Sequence, residues 1–191
     1  MQHKISAGLL RKFEPKREWL KHPSYDHGVG HLTRVFILQE LICNLLDKRG
    51  VSINREAVRY AAMVHDVGRV NDFEDPGHGM NSAKWMKDNL ANILTPETLD
   101  IATYIVHWHS LPDSEAPVMT TELKVLKDAD SLDRVRLGDM NESYLRLDVS
   151  KSLTGTAQKL FEASKQGNSS EVETFEDVIK ACKELGLVRH K

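Results

Sequence analysis

Leu32, Val35, Phe36, Leu38, Ile42, Leu45 and Leu46 recur in the pattern of a helix with one apolar side, and Gly50 closes the run. A helix of that length must be covered by other elements. No stretch alternates with a period of two between hairpin turns, and no internal repeat is visible, so the covering elements are expected to be helices. Asn54 reads as the N-cap of a second helix, with Glu56 in its first turn and an inner face of Val58, Ala61, Ala62 and His65. Thr95-Pro96-Glu97 reads as another start, with Thr95 as cap, Pro96 in the first helical position and a face of Ile101, Ile105, Trp108 and His109. Further helical patterns hold Ala83, Trp85, Met86 and Leu90, then Leu123, Val125, Leu126, Ala129, Asp130, Leu132 and Asp133.

The remaining stretches set the outline. Lys4 to Trp19 is a short amphipathic piece interrupted by Pro15, followed by a loop from Lys21 to Asp26; Arg69 to Gly79 and Ser110 to Pro117 are also loops. Helical patterns from Lys151 to Lys165 and from Val172 to Leu185 flank the loop Gly167-Asn168-Ser169-Ser170. The expected fold class is all-α: one helical domain over 1-191, with a core at about 25-137 and a C-terminal extension, 138-191, that packs on the core or serves an interface such as that of a homodimer.

The chain has 191 residues, 40% hydrophobic and 28% charged, which is enough for a real core and unlike a disordered segment. A net charge of -2 and no basic block argue against an extended nucleic-acid surface. Cys43 and Cys182 sit on apolar helical patterns and are expected as buried thiols, as in a reducing cytoplasm. Met1 to Leu10 has no signal-peptide core, and no apolar run is read as approaching a membrane span, so a cytoplasmic protein without a membrane partner is expected.

Against this background a few polar residues stand on apolar faces. His31 shares a side with Val35, Leu38 and Ile42, and His65 ends the inner face of its helix. Asp66 lies about 100 degrees round from His65, and both reach one point if the helix stops there, a stop that Gly68 is expected to permit. Asp130 lies on the side of Leu123 and Leu126, where a carboxylate is costly without a cation or strong hydrogen bonds. Each alone has an ordinary alternative, a hydrogen-bonded core histidine or a carboxylate paired with arginine. Taken together, His31, His65, Asp66 and Asp130 offer nitrogen and oxygen donors suited to manganese, iron, nickel, cobalt or magnesium, and no thiolate for a closed structural zinc site. Such a ligand set leaves positions for water and a substrate oxygen. His78, at a helix entrance, and His109, on an inner face, are further candidates, whereas His107 falls on the outer side.

These residues resemble the HD-domain metal-dependent phosphohydrolases, whose signature of His, His-Asp and a distant Asp is met by His31, His65-Asp66 and Asp130. The motifs DHGVGHLTRV, AAMVHDVGR, HGMNSA, IVHWHS and LKDADSLDRV follow in the family's order and spacing from about Tyr25 to Leu137. Some branches add two histidines for a second metal or the substrate, and His78 and His109 match them. Where the family often has Arg after the last metal aspartate this chain has Ser131, with Arg134 as a replacement. The resemblance implies a divalent ion on His31, His65, Asp66 and Asp130 that activates water for in-line attack on phosphorus, with Asp66 bridging to a second ion if His78 and His109 hold one. Arg34, one turn from His31, and Arg69, just past the doublet, are candidate phosphate clamps because guanidinium presents a planar fork. The implied substrate is a phosphate ester or anhydride of a nucleotide or another small metabolite. A non-catalytic metal or nucleotide sensor, a helical interaction module and a diiron oxygenase are the other readings. His27 receives no role.

Overall fold

The chain enters the fold through a two-residue strand, β1 (Ile5–Ser6), and a short helix, α1 (Ala7–Lys12), and then forms the long helix α2 (Val29–Lys48). The computed structural model describes residues 4–22, 24, 26–166 and 172–189. After α2 come α3 (Arg55–Val64), α4 (His78–Leu90), α5 (Pro96–Trp108), α6 (Thr121–Asp133), the single turn α7 (Asp148–Lys151), α8 (Thr154–Lys165) and α9 (Phe175–Glu184). The last described residues form β2 (Val188–Arg189), which runs parallel to β1 with Ile5 opposite Val188. Apart from that small ladder the described residues are all-α, as expected.

Local chemistry explains where the helices begin. Asn54 accepts a hydrogen bond from the Ala57 N–H, Thr95 accepts one from Thr98 with Pro96 behind it, and Thr120 accepts one from Leu123. Thr174 and Asp177 form a reciprocal box at the start of α9. Each such cap is worth about 1 kcal/mol to its helix. The segment from Lys4 to Trp19 is more broken than expected, since the pieces on either side of Pro15 are α1 and a 3-10 turn at Arg17–Trp19. The pattern from Lys151 to Lys165 is likewise split between the end of α7 and α8, and the one from Val172 begins its helix only at Phe175. The loop expected at Gly167 to Ser170, Tyr25 at the start of the expected core, and Met1 at the N-terminus lie outside the described residues.

Helix α2 is covered on all sides. Leu32, Val35, Phe36, Ile37, Leu38 and Ile42 are buried, with α3, α6 and α9 packed around them. By length and composition α2 passes as a membrane span, which corrects the expectation that no stretch approaches one. The reason lies in its place: a helix surrounded by other helices is apolar all round, and most of this one is inside the fold. Cys43 and Cys182 are buried free thiols.

Gly68 does not end α3 by a left-handed turn. Among the described glycines only Gly50, Gly138 and Gly186 have positive φ. A Cβ on Gly68 would instead stand 2.7 Å from the carbonyl carbon of Asn81, so this glycine lets α4 press against the turn that carries His65 and Asp66. The contact is fixed by a hydrogen bond of 2.9 Å from the Gly68 N–H to Ser82 Oγ.

Candidate metal centre

Five helix ends meet at one point. His31 is in the first turn of α2, His65 and Asp66 directly follow α3, His78 opens α4, His109 directly follows α5, and Asp130 is in the last turn of α6. Every histidine of this set has its Nδ1 turned to an acceptor. His31 Nδ1 is 2.8 Å from Asp133 Oδ2, His65 Nδ1 is 2.9 Å from the Ala62 carbonyl, and His109 Nδ1 is 2.6 Å from the Val106 carbonyl. His78 Nδ1 faces the Asp75 carbonyl. Carbonyl and carboxylate oxygens only accept, so Nδ1 is the protonated nitrogen in each ring and a neutral ring presents a bare lone pair at Nε2.

These lone pairs are brought together in twos. His31 Nε2 and His65 Nε2 are 3.1 Å apart, and His78 Nε2 and His109 Nε2 are also 3.1 Å apart. Two lone pairs at that distance repel unless a proton or a cation lies between them. Asp66 stands between the two pairs: its Oδ2 is 3.5 Å from His31 Nε2 and 3.8 Å from His65 Nε2, while its Oδ1 is 3.2 Å from His78 Nε2 and 3.6 Å from His109 Nε2. Asp130 Oδ1 completes the first group at 3.5 Å from His31 Nε2. Donors bonded to one octahedral ion at about 2.1 Å are about 3 Å apart along an edge. Among the described residues His31, His65 and Asp130 form one group that could hold a divalent ion, and His65, Asp66 and His109 form another, with His78 beside His109.

Burial and charge separate the members. His31, His65, Asp66, His78 and His109 are buried, whereas the Asp130 side chain is 34% exposed, less enclosed than expected for the core side of α6. Burial pushes the His65 imidazole down to about 3. It acts the same way on His31, yet hydrogen bonds to Asp133 and Asp66 leave that ring above its ordinary value. Burial alone would raise Asp66, but the surrounding histidines hold it well below the usual carboxylate range.

Three further side chains adjoin the candidate cluster: His27, which the sequence leaves without a role, and Asp133 and Arg136, which it does not single out. His27 Nδ1 is 2.7 Å from Asp66 Oδ2, and its signal was a second histidine four positions before His31. Asp133 holds His31, and its signal was a carboxylate three positions, nearly one turn, beyond Asp130 on the same helix. Arg136 donates to the carbonyls of Asp26 and Asp133 and brings Nη2 to 3.4 Å from His27 Nδ1; that nitrogen is already engaged with Asp66, so the arginine is a close charge there rather than a bonded partner. Arg134, expected in place of the family's arginine, pairs with Asp139 at the surface.

The two expected clamps are placed differently. Arg34 is buried and donates through Nε at 2.6 Å and Nη2 at 3.0 Å to Asp133, and through Nη1 to Glu173, so it stands behind His31 and not at the open side. Arg69 braces its loop by donating to the carbonyls of Asn71 and Phe73, and its Nη1 is 3.8 Å from Asp66 Oδ1. His107 is half-buried beside Trp108, away from the other histidines.

The model of the HD domain family matches residues 28–135, more than half of the chain. The protein belongs to the HD domain family. The match runs from the start of α2 past the end of α6; it contains the candidate ligands His31, His65, Asp66, His78, His109 and Asp130 and leaves His27 and Glu173 outside. HD domains are in general metal-dependent hydrolases, and the histidine and aspartate groups here could hold a divalent ion. Comparison with curated proteins and with solved structures gave no match.

Proposed function

We propose that this HD-domain protein is a phosphohydrolase that cleaves a phosphate ester or anhydride of a nucleotide or another small phosphorylated metabolite. One observation carries the reading: two pairs of facing Nε2 atoms, at 3.1 Å each, flank the two oxygens of one carboxylate. His31, His65, Asp66 and Asp130 would hold one ion, and Asp66, His78 and His109 a second. A bound divalent ion supplies Lewis acidity toward a phosphoryl oxygen and an acidified water. The chain's own residues do the rest. Asp66 fixes the spacing of the two histidine pairs, and His27 donates its Nδ1 proton to Asp66 Oδ2, which holds the carboxylate plane. Asp130 marks the open side, where a substrate enters. Arg69 and Arg136 place positive charge near the centre and favour an anionic substrate. Free thiols at Cys43 and Cys182 agree with work in a reducing cytoplasm.

The test is metal content by inductively coupled plasma mass spectrometry on protein purified without chelator, beside Asp66→Ala, followed by a screen of phosphomonoesters and phosphodiesters. Metal above one equivalent, lost in the variant and matched by metal-dependent phosphate release, is expected. A parent protein that takes up none of manganese, nickel, cobalt or iron defeats the reading and leaves a helical binding module.

A further inference from the structure

Behind His31 lies a line of buried polar side chains that the hydrolase reading does not use. His31 Nδ1 donates to Asp133 Oδ2 at 2.8 Å, Asp133 accepts from Arg34 at 2.6 and 3.0 Å, and Arg34 donates onward to Glu173. Arg34 is 2% exposed and Glu173 7%. Glu173 belongs to the segment leading into α9, and the ring of Phe161 in α8 lies 5.2 Å from the Arg34 guanidinium, so both outer partners of Arg34 come from the part of the chain that holds α8 and α9. Neither is inside the family match.

Charge explains why a second carboxylate is needed there. Two guanidinium groups converge on Asp133, since Arg136 Nη1 also stands 3.5 Å from its Oδ2. With Glu173 present the group of Arg34, Arg136, Asp133 and Glu173 is neutral. Without it a net positive charge would sit directly behind a ligand that must attract a cation, and in a buried setting such a charge is poorly screened. Asp133 would also be drawn toward its two arginines and away from the His31 N–H. Lys165 approaches Glu173 at 4.0 Å, but it is 37% exposed and largely screened by solvent.

The sequence makes room for this carboxylate. A Cβ on Gly30 would stand 2.7 Å from Glu173 Cδ, so any side chain at that position displaces Glu173 from Arg34. The glycine immediately before His31 and a glutamate far along the chain are two halves of one contact.

We propose that Glu173 is a positioning residue for the metal ligand His31, acting through Arg34 and Asp133, so that α8 and α9 help to set metal affinity. The inference rests on the metal-centre reading above.

Three variants test it: Glu173→Gln, which keeps the shape and removes the charge; Gly30→Ala, which displaces the carboxylate while favouring the helix; and Val178→Ala, which loosens the buried face of α9 and leaves the Glu173 carboxylate in place. Two quantities are read: affinity for Mn2+ by competition with a chelator, and, in metal-free protein, the solvent-exchange rate of the His31 Nδ1 proton by nitrogen-edited NMR. A side chain bonded directly to a metal ligand is worth about 10- to 100-fold in metal affinity, and one step further out we expect a loss of about 3- to 10-fold in Glu173→Gln and Gly30→Ala. Exchange of the His31 proton should quicken in both. Val178→Ala should lower the melting temperature and leave both readouts at the parent values. The relay is overturned if Glu173→Gln and Gly30→Ala keep the parent's proton exchange, or if Val178→Ala weakens Mn2+ binding as much as they do. A parent that takes up none of manganese, nickel, cobalt and iron defeats the hydrolase reading alone, and the proton exchange then decides the relay by itself.

Discussion

A Cβ added to Gly79 would stand 2.7 Å from the carbonyl oxygen of His107, so α4 and α5 touch backbone to backbone beside His78 and His109. The two imidazole nitrogens beside that contact are 3.1 Å apart. Gly79→Ala should push the helices apart at a cost of about 1–3 kcal/mol, as overpacking does. The expected result is a protein that still folds and binds one equivalent of metal but has lost the second. Metal analysis beside a thermal melt checks this, and two retained equivalents would show that the spacing of His78 and His109 is not critical.

Metal uptake should release protons. In the metal-free protein His31 and His78 are raised: burial lowers both, but the carboxylates of Asp133 and Asp66 around His31, and Asp66 with the Asp75 carbonyl around His78, outweigh it. His65 is pushed by burial down to about 3 and stays neutral across the physiological range. Affinity should therefore rise from pH 6 to pH 8 as His31 and His78 give up their protons, while His65 needs no deprotonation. The stability signs differ in the same way. The contribution of His65 is complete above its unfolded value of about 6.5 and falls away as pH drops toward its folded value, whereas those of His31 and His78 are complete below about 6.5 and lost as pH rises through their raised values. Calorimetry in two buffers of different ionisation enthalpy counts the protons, and an affinity independent of pH would contradict the assignment.

Asp133→Ala removes the acceptor of the His31 proton and strands Arg34 in the core. Breaking one side of a buried pair costs about 3–5 kcal/mol. Chemical denaturation should show that loss, and Mn2+ binding at low temperature should weaken by about 10- to 100-fold. A variant as stable as the parent would mean that water takes the place of the carboxylate.

His27→Ala should separate holding metal from using it. Its Nδ1 donates to Asp66 but the groups assigned to the first ion remain intact. Metal content should stay at the parent value, and phosphate release should fall about tenfold through the loosened Asp66. Loss of metal in this variant would make His27 a ligand, a role that its grouping with His31 and Asp66 also permits.

What could be read from the residues followed the range of the physics involved. Helix starts at Asn54 and Thr95 were legible because a cap is made within four residues. The inward faces of His65 and His109 followed from helical period alone. Arg34 was misplaced because a long side chain one turn from a ligand can point either way, and its direction is set by Glu173, 139 positions later. Gly68 was read as a helix stop, although the close approach of α4 that it permits is a tertiary fact. The bridging role of Asp66 is what the family resemblance implies if His78 and His109 hold a second ion, and the structure places one histidine pair beside each of its oxygens.

The all-round apolar surface of α2 also bears on how the protein is made. During synthesis α2 leaves the ribosome before α6 and long before α9, the helices that cover it. Until α6 and α9 have followed it, the growing chain displays a span-like apolar segment with no finished shelter. Its fate in that interval depends on holding factors or on provisional packing against α3, and the docking of α9 completes the cover.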